Sequence, residues 1–71
     1  MKKGLISLTG TIIKLLPNAY YLVKADKTDS EVLCRLSGQM TKFFIKPVEK
    51  DRVSIEVSET DLTKGRIMKR F

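Results

Sequence analysis

Histidine is absent from this chain and cysteine occurs once, which removes the commonest catalytic base and any covalent cross-link within the chain. The single thiol, Cys34, has no second cysteine or histidine with which to complete a zinc site. Because no base partner is evident for it, Cys34 is more consistent with a small core residue than with a reactive nucleophile. Packing alone must stabilise the fold, as suits a reducing compartment.

Motifs for catalysis are missing as well. The chain has no G-x-x-x-x-G-K-[ST] or G-x-G-x-x-G pattern, so no glycine-rich loop is available to hold phosphate groups. Serine and threonine lie in alternating strands or loops without a base motif. The eight carboxylates lie mostly in turns, where capping and solubility explain them. We therefore expect no enzymatic activity, no cofactor and no metal site.

Long apolar runs are also missing. The apolar residues that follow the basic start at Met1–Lys3 are interrupted by polar and small residues, which leaves no continuous signal-peptide core. No stretch approaches the roughly 18 apolar residues of a membrane-spanning helix. The sequence therefore predicts a soluble, cytoplasmic protein with no membrane partner.

Positive charge is what the chain has in excess. Its 71 residues carry 14 lysine and arginine side chains against 8 acidic ones, a net charge of +6. A chain of this length forms one small domain, residues 1–71, and its 42% hydrophobic content is that of a folded protein. The charge favours polyanionic partners, although a merely solvated basic surface is the alternative.

Alternation of apolar and polar residues, the period of a half-buried strand, predicts five strands. They cover residues 5–16, 20–25, 31–37, 52–58 and 66–71. In the first strand Gly10 predicts a bend or bulge, because the alternation blurs beyond Ile12. The three middle strands each have one apolar face, which we expect to form the core: Tyr21, Val23, Ala25, Val32, Cys34, Leu36, Val53, Ile55 and Val57.

One long connector, Gly38–Val48, breaks the alternation and has room for a single helical turn. Five short strands without a long helix protect their edges best by closing into a barrel. We therefore expect an all-β protein with one five-stranded antiparallel OB-fold barrel of the S1-like kind, the connector lying between strands three and four. An SH3-like barrel is the structural alternative.

Basic side chains are concentrated in two places. One cluster lines the connector and the start of strand four, and the other lies at the C-terminal end: Lys42, Lys46, Lys50 and Arg52, then Lys64, Arg66, Lys69 and Arg70. Lysine and arginine neutralise phosphates, so the two clusters predict a phosphate-facing surface. A solvated basic face explains the same spacing equally well.

Exposed aromatic rings matter because OB-folds stack unpaired bases on them, a contact worth about 1–3 kcal/mol per base. The candidates are Tyr20, Phe43, Phe44 and Phe71. Adjacent residues of an extended connector face opposite ways, so we expect one of Phe43 and Phe44 to plug the barrel and the other to be exposed. Tyr20 could equally pack on Leu22.

A set of short motifs resembles bacterial-type translation initiation factor one, a family found also in plastids. The motifs are weak singly, but their order and spacing along nearly the whole chain are specific. They are Gly10-Thr11, Leu16-Pro17-Asn18, Ser37-Gly38-Gln39-Met40, Ile45, Asp51-Arg52-Val53 and Asp61-Leu62-Thr63-Lys64-Gly65-Arg66-Ile67.

The resemblance implies an OB-fold that binds the small ribosomal subunit at the A site during initiation. Its partners would be the decoding-region helix of ribosomal RNA, a neighbouring ribosomal protein and the other two initiation factors, and we expect it to act as a monomer. A plastid origin would place it in the stroma. The resemblance implies that seven residues lie at or beside the RNA-facing positions: Arg35, Met40, Lys42, Phe44, Lys46, Lys64 and Arg66.

The chain departs from this family at several positions. Gln39 and Thr41 stand where the family usually has basic residues, and Lys50 replaces a glycine, which predicts either strain in the turn before Asp51 or a change of turn type. The loop 26–31 is one residue longer than is typical. A general single-strand binder of the cold-shock kind remains an alternative, although its K-G-F-G-F-I run is absent, and a barrel for protein contacts only is another.

Overall fold

The computed structural model describes residues 4–71, most of which lie in strands. The basic start Met1–Lys3 lies outside the described residues. The elements are β1 (Leu5–Leu16), a 3-10 turn (Pro17–Ala19), β2 (Tyr20–Ala25), β3 (Glu31–Leu36), α1 (Gly38–Lys42), β4 (Arg52–Ser58) and β5 (Asp61–Arg70). The predicted bounds of β1, β2 and β4 are confirmed. No helix within 4–71 is long and apolar enough to cross a membrane.

The five strands close into a barrel in the order β1-β2-β3-β5-β4, which confirms the predicted architecture. Four of the neighbouring pairs are antiparallel as predicted, whereas β3 and β5 run parallel. The β3–β5 pair completes the closed barrel. In the chain, β3 and β5 are separated by α1 and β4. The pairing therefore places side chains from distant parts of the sequence next to one another.

β1 is long enough to pair with two neighbours. Its first half pairs with β4 from Leu5 to Thr11, and its second half pairs with β2 from Gly10 to Leu16. A register shift between Ile12 and Lys14 marks a bulge, which explains why the alternation blurs there. The bulge therefore lies after Gly10 and not at it. Gly10 lies where β1 pairs with both β2 and β4.

The core is formed by the apolar faces that the alternation predicted. Every predicted core residue is buried except Leu36, which is half-buried and packs against the others. The other buried members of the core cluster come from β1, α1 and β5: Ile12, Met40 and Ile67. Burial raises the pKa of the Cys34 thiol to about 12, so this cysteine stays protonated and unreactive near neutral pH.

The turn before β4 carries the strain that the sequence predicted. The Asp51 amide donates to the Val48 carbonyl over 3.1 Å, and Lys50 adopts φ 74°. A positive φ at the third position is the requirement of a type II turn, where glycine is preferred. The Lys50 amide also donates to the Ile12 carbonyl over 2.8 Å, which ties the turn to β1.

Candidate nucleic-acid interface

Three of the predicted site residues lie side by side on the outside of the barrel. Arg35 lies on β3, directly opposite Arg66 on β5, and Lys64 lies two residues before Arg66. Residues two apart on a strand share a face, so the three cations project in one direction. All three are exposed. We call Arg35, Lys64 and Arg66 the basic face.

The basic face forms no ion pair within 4.0 Å in the described part of the chain. The ion pairs within 4.0 Å among residues 4–71 involve Lys24, Arg52 and Arg70, and none involves the basic face. Glu56 lies opposite Arg66 on β4 without forming such a pair. Three exposed cations on one face, with one carboxylate opposite them, produce a local positive potential that attracts anions.

Arg35 is held against an aromatic ring. Tyr20 lies opposite Arg35 in the antiparallel pair of β2 with β3. The guanidinium carbon is 5.5 Å from the centroid of the Tyr20 ring, within the range of a cation–π contact. The sequence left two roles open for Tyr20, base stacking and packing on Leu22. It could not show that the Tyr20 ring lies beneath Arg35.

Two shallow clefts lie on either side of Lys64 and Gly65. One, of about 170 Å³, is bordered by Tyr20 and Arg35, and the other, of about 260 Å³, is bordered by Arg66. Both are smaller than the roughly 300–1,000 Å³ of pockets that enclose small molecules. The surface therefore suits an extended partner that lies across it.

The connector begins with the helical turn that the sequence allowed. Ser37 caps α1, its hydroxyl accepting a hydrogen bond from the Met40 amide over 3.2 Å. At the other end the Ile45 amide donates to the Met40 carbonyl over 3.0 Å, and the Phe44 amide donates to the Thr41 carbonyl over 3.1 Å. These two bonds form a Schellman motif, which requires a left-handed residue at the position of Phe44.

Phe44 fills a position that glycine usually occupies. Its φ is 57°, a conformation that costs bulky residues free energy, and its side chain is 84% exposed. The ring therefore contributes little packing in return for the backbone strain. Strained backbone that packing does not explain is a sign of function.

One prediction for the connector is wrong, and one predicted site residue lies below the surface. Met40 is only 2% exposed and packs in the core, beside the exposed connector residues. Phe43 and Phe44 are both exposed, so neither is the plug. The reason is that residues 38–42 form a helix, which buries Met40 instead of a phenylalanine, whereas the prediction for Phe43 and Phe44 assumed an extended chain with alternating faces.

The other predicted connector residues lie at one end of the barrel. Lys42 and Lys46 are exposed, and the Lys42 ammonium is 5.7 Å from the centroid of the Phe43 ring. α1 packs against β3 and β5, the strands that carry the basic face. We call Lys42, Phe44 and Lys46 the connector group; Lys42 lies on α1, and Phe44 and Lys46 follow it in the chain.

Arg52, a candidate for the phosphate-facing surface, is already occupied. Its guanidinium donates to both carboxylate oxygens of Asp26 over 2.8 and 2.6 Å and to the Thr11 hydroxyl over 3.2 Å. The hydrogen bonds from Arg52, together with one from the Thr9 hydroxyl, lower the pKa of Asp26. The prediction that Arg52 faces phosphates is corrected, because this bidentate pair ties the β2–β3 loop to β4.

The last two cations of the C-terminal cluster are engaged as well. The Lys69 ammonium is 5.6 Å from the centroid of the Phe71 ring, and Arg70 is 3.9 Å from an Asp51 carboxylate oxygen. Both line an open groove of about 380 Å³ between α1 and the end of β5. Four members of the predicted basic clusters form neither an ion pair nor a ring contact among residues 4–71. They are Lys46, Lys50, Lys64 and Arg66.

Residues 4–71 contain no group of three or more cysteine or acidic side chains that could hold a metal ion. The sequence left Arg52 and Arg70 among the candidate phosphate-facing residues because their carboxylate partners are distant in the chain. Asp26 is 26 residues from Arg52, and only the closed barrel brings them together.

Comparison with solved structures shows that this chain is similar to translation initiation factor one from the Wolbachia endosymbiont strain TRS of Brugia malayi. The identity is 37% and the TM-score is 0.79, and the match covers 97% of this chain and 80% of that chain. No family model matches the chain.

Two larger proteins contain a similar barrel. The chain is 24% identical to YjeQ from Thermotoga maritima, with a TM-score of 0.77, over 93% of this chain and 23% of that chain. It is 25% identical to YloQ, a circularly permuted GTPase, with a TM-score of 0.75, over 100% of this chain and 24% of that chain. Because the chain spans about a quarter of each protein, these likenesses support the barrel fold and carry no GTPase activity to this chain.

Proposed function

Because this chain belongs to the family of translation initiation factor one, we propose that it binds the small ribosomal subunit at the A site and turns its basic face toward ribosomal RNA. The observation that carries the proposal is the cluster of Arg35, Lys64 and Arg66, exposed together without a carboxylate partner among residues 4–71. Such a cluster is suited to phosphates, and its arginines can make bidentate contacts.

The two groups of residues have different roles in this proposal. The basic face neutralises phosphates, with help from Lys42 and Lys46 of the connector group. Phe44 offers an exposed ring to an unpaired base. Met40 acts from inside, because its burial fixes α1 on the barrel and so orients the connector.

Binding and occupancy, without catalysis, would be the whole mechanism. A folded barrel of 28 × 27 × 22 Å that fills the A site excludes any other ligand from it. Recognition would rest on phosphates and RNA shape, because side chains read little sequence in folded RNA. The proposed partners are ribosomal RNA, a neighbouring ribosomal protein and the other initiation factors, met by a monomer in the cytoplasm or the plastid stroma.

Salt dependence tests the electrostatic part of the proposal. If Arg35, Lys42, Lys46, Lys64 and Arg66 each release counterions, the logarithm of affinity should fall against the logarithm of salt with a slope of about −3.5 to −4.5. The measurement is co-sedimentation with purified small subunits across a salt series, with and without a competitor for the A site. A slope near zero, or no co-sedimentation at moderate salt, would contradict the proposal.

A general single-strand binder is the second candidate, and the exposed rings of Phe43, Phe44 and Phe71 favour it. The same salt series with a short unstructured oligoribonucleotide separates the two functions. A ribosomal factor should bind the subunit far more tightly than the oligonucleotide. Equal affinities would favour the second candidate.

Phe44→Gly should raise stability and lower affinity at the same time. Relief of the positive φ should stabilise the fold by about 0.5–1 kcal/mol, while loss of the ring should weaken subunit binding about tenfold. Ala19→Gly is the matched control, because Ala19 has φ 61° and carries no ring. Thermal unfolding and subunit binding of both variants check this, and unchanged binding by Phe44→Gly would remove Phe44 from the interface.

A further inference from the structure

The position of Arg35 needs an explanation, because the side chains next to it on β5 are cations. Arg35 is directly opposite Arg66, and Lys64 is two residues from Arg66 on the same face. Like charges placed opposite each other on neighbouring strands repel. Without an attractive contact the flexible Arg35 side chain would swing away from the other two cations.

The Tyr20 ring supplies that contact. It lies on the far side of Arg35 from Arg66, since Tyr20 is on β2 and Arg66 is on β5. The guanidinium lies 5.5 Å from the ring centroid, and Tyr20 itself is half-buried and so has a restricted position. A ring face attracts a cation without neutralising it, so Arg35 keeps its full charge for a phosphate.

We propose that Tyr20 is a positioning residue, which holds the Arg35 guanidinium on the barrel surface so that Arg35, Lys64 and Arg66 meet the RNA backbone as a preformed set. The inference rests on the proposed function for its ligand. An arginine restrained before binding loses less conformational freedom when it binds, which strengthens the contact. Tyr20 acts through Arg35 and makes no phosphate contact of its own.

Binding to purified small subunits at fixed salt tests the role of the ring. Tyr20→Leu should weaken binding about two- to fivefold, and Tyr20→Phe, which keeps the ring, should bind like the parent chain. Arg35→Gln should weaken binding further and make the salt slope shallower by just under 1, whereas Tyr20→Leu should leave the slope unchanged.

The double variant distinguishes positioning from direct contact. In the Arg35→Gln background, Tyr20→Leu should cost nothing more, because the side chain that Tyr20 positions is already gone. An equal loss in both backgrounds would overturn the proposal, since Tyr20 would then act independently of Arg35. Parent-like binding by Tyr20→Leu alone would overturn it too.

A measurement without ribosomes keeps the test independent of the proposed function. In the free protein, the NMR signal of the Arg35 side-chain N–H should show a ring-current shift that Tyr20→Phe retains and Tyr20→Leu loses. Absence of that shift in the parent chain overturns the inference even if the subunit is bound. Failure of the parent chain to bind the subunit, with the shift present, refutes the proposed function and leaves the restrained arginine established.

Discussion

The double variant Lys64→Glu/Arg66→Glu should bind purified small ribosomal subunits at least about a hundredfold more weakly than the parent chain. Charge-assisted hydrogen bonds contribute about 1.5–3 kcal/mol each, and reversal of the charge adds repulsion from the phosphates to the loss of two contacts. Both side chains are exposed on β5, so the effect should fall on binding and not on folding. Equilibrium binding at one moderate salt concentration measures it.

The matched control changes the net charge equally at another place. Lys24→Glu/Lys27→Glu takes the chain from +6 to +2, as the first double variant does, because each substitution changes the charge by −2. Lys24 is paired with Asp29 over 3.8 Å at the β2–β3 loop, outside the proposed surface. Its binding should fall much less. If both variants lost affinity equally, only net charge would matter and the basic face would have no special role.

One side effect of the charge reversal has to be separated from binding. Arg66 lies opposite Glu56, so a glutamate in its place puts two carboxylates across from each other on neighbouring strands. Such a pair destabilises a sheet by a fraction of 1 kcal/mol. Thermal unfolding of the variant sets the temperature at which binding is compared. Full binding by the folded variant would favour a barrel that mediates protein contacts only.

The position of carboxylates divides the cations of this chain into two groups. On the side of the β2–β3 loop and β4, acidic residues engage Lys24, Arg52 and Arg70. Arg35, Lys64 and Arg66 on β3 and β5 form no ion pair within 4.0 Å among residues 4–71. These three cations therefore remain available to an anionic partner, as a directed RNA interface requires.

Strand bounds were predictable from the sequence wherever one face of a strand is buried. β2 and β4 alternate strictly enough that their limits follow from period two alone, whereas the end of β1, beyond its bulge, follows from the turn residues Pro17 and Asn18. β5 begins at Asp61, five residues before the predicted start at Arg66. Its first residues form the exposed end of a hairpin with Ser58, so they carry no apolar alternation to reveal them.

The connector was the hardest segment to predict. A helix of five residues is too short to show a 3.6-residue period, so Phe43 and Phe44 were placed as in an extended chain. One local signal was available, because serine is a preferred N-cap residue and Ser37 directly precedes α1. The resemblance to a family supplied the site residues, but it could not distinguish a surface methionine from a plug.

Contacts between distant residues could not be predicted at all. The parallel pair of β3 with β5 places Arg35 beside Arg66, although α1 and β4 lie between them in the chain. Local propensity contains no information about that pairing, and the closed barrel supplies it. The same holds for the bond between Arg52 and Asp26, which removes one predicted phosphate contact.

Gly10→Ala should destabilise the fold by about 3 kcal/mol, a large fraction of what a chain of this size has. An added Cβ would lie 2.5 Å from the Lys24 carbonyl oxygen and 2.8 Å from a methyl carbon of Val23. The first of these atoms is backbone, so relief requires β1 and β2 to separate. Gly10 also pairs with Val53 on β4, so the shift reaches a third strand.

The control is Gly38→Ala, since no atom lies within 4 Å of a Cβ added at Gly38 in α1. Alanine favours the helix there, so Gly38→Ala should unfold at or slightly above the parent temperature. Gly10→Ala should unfold at least about 10 °C lower. A drop of under about 2 °C would show that β1 can move away from β2 freely. A rigid barrel would then no longer explain the arrangement of Tyr20, Arg35 and Arg66.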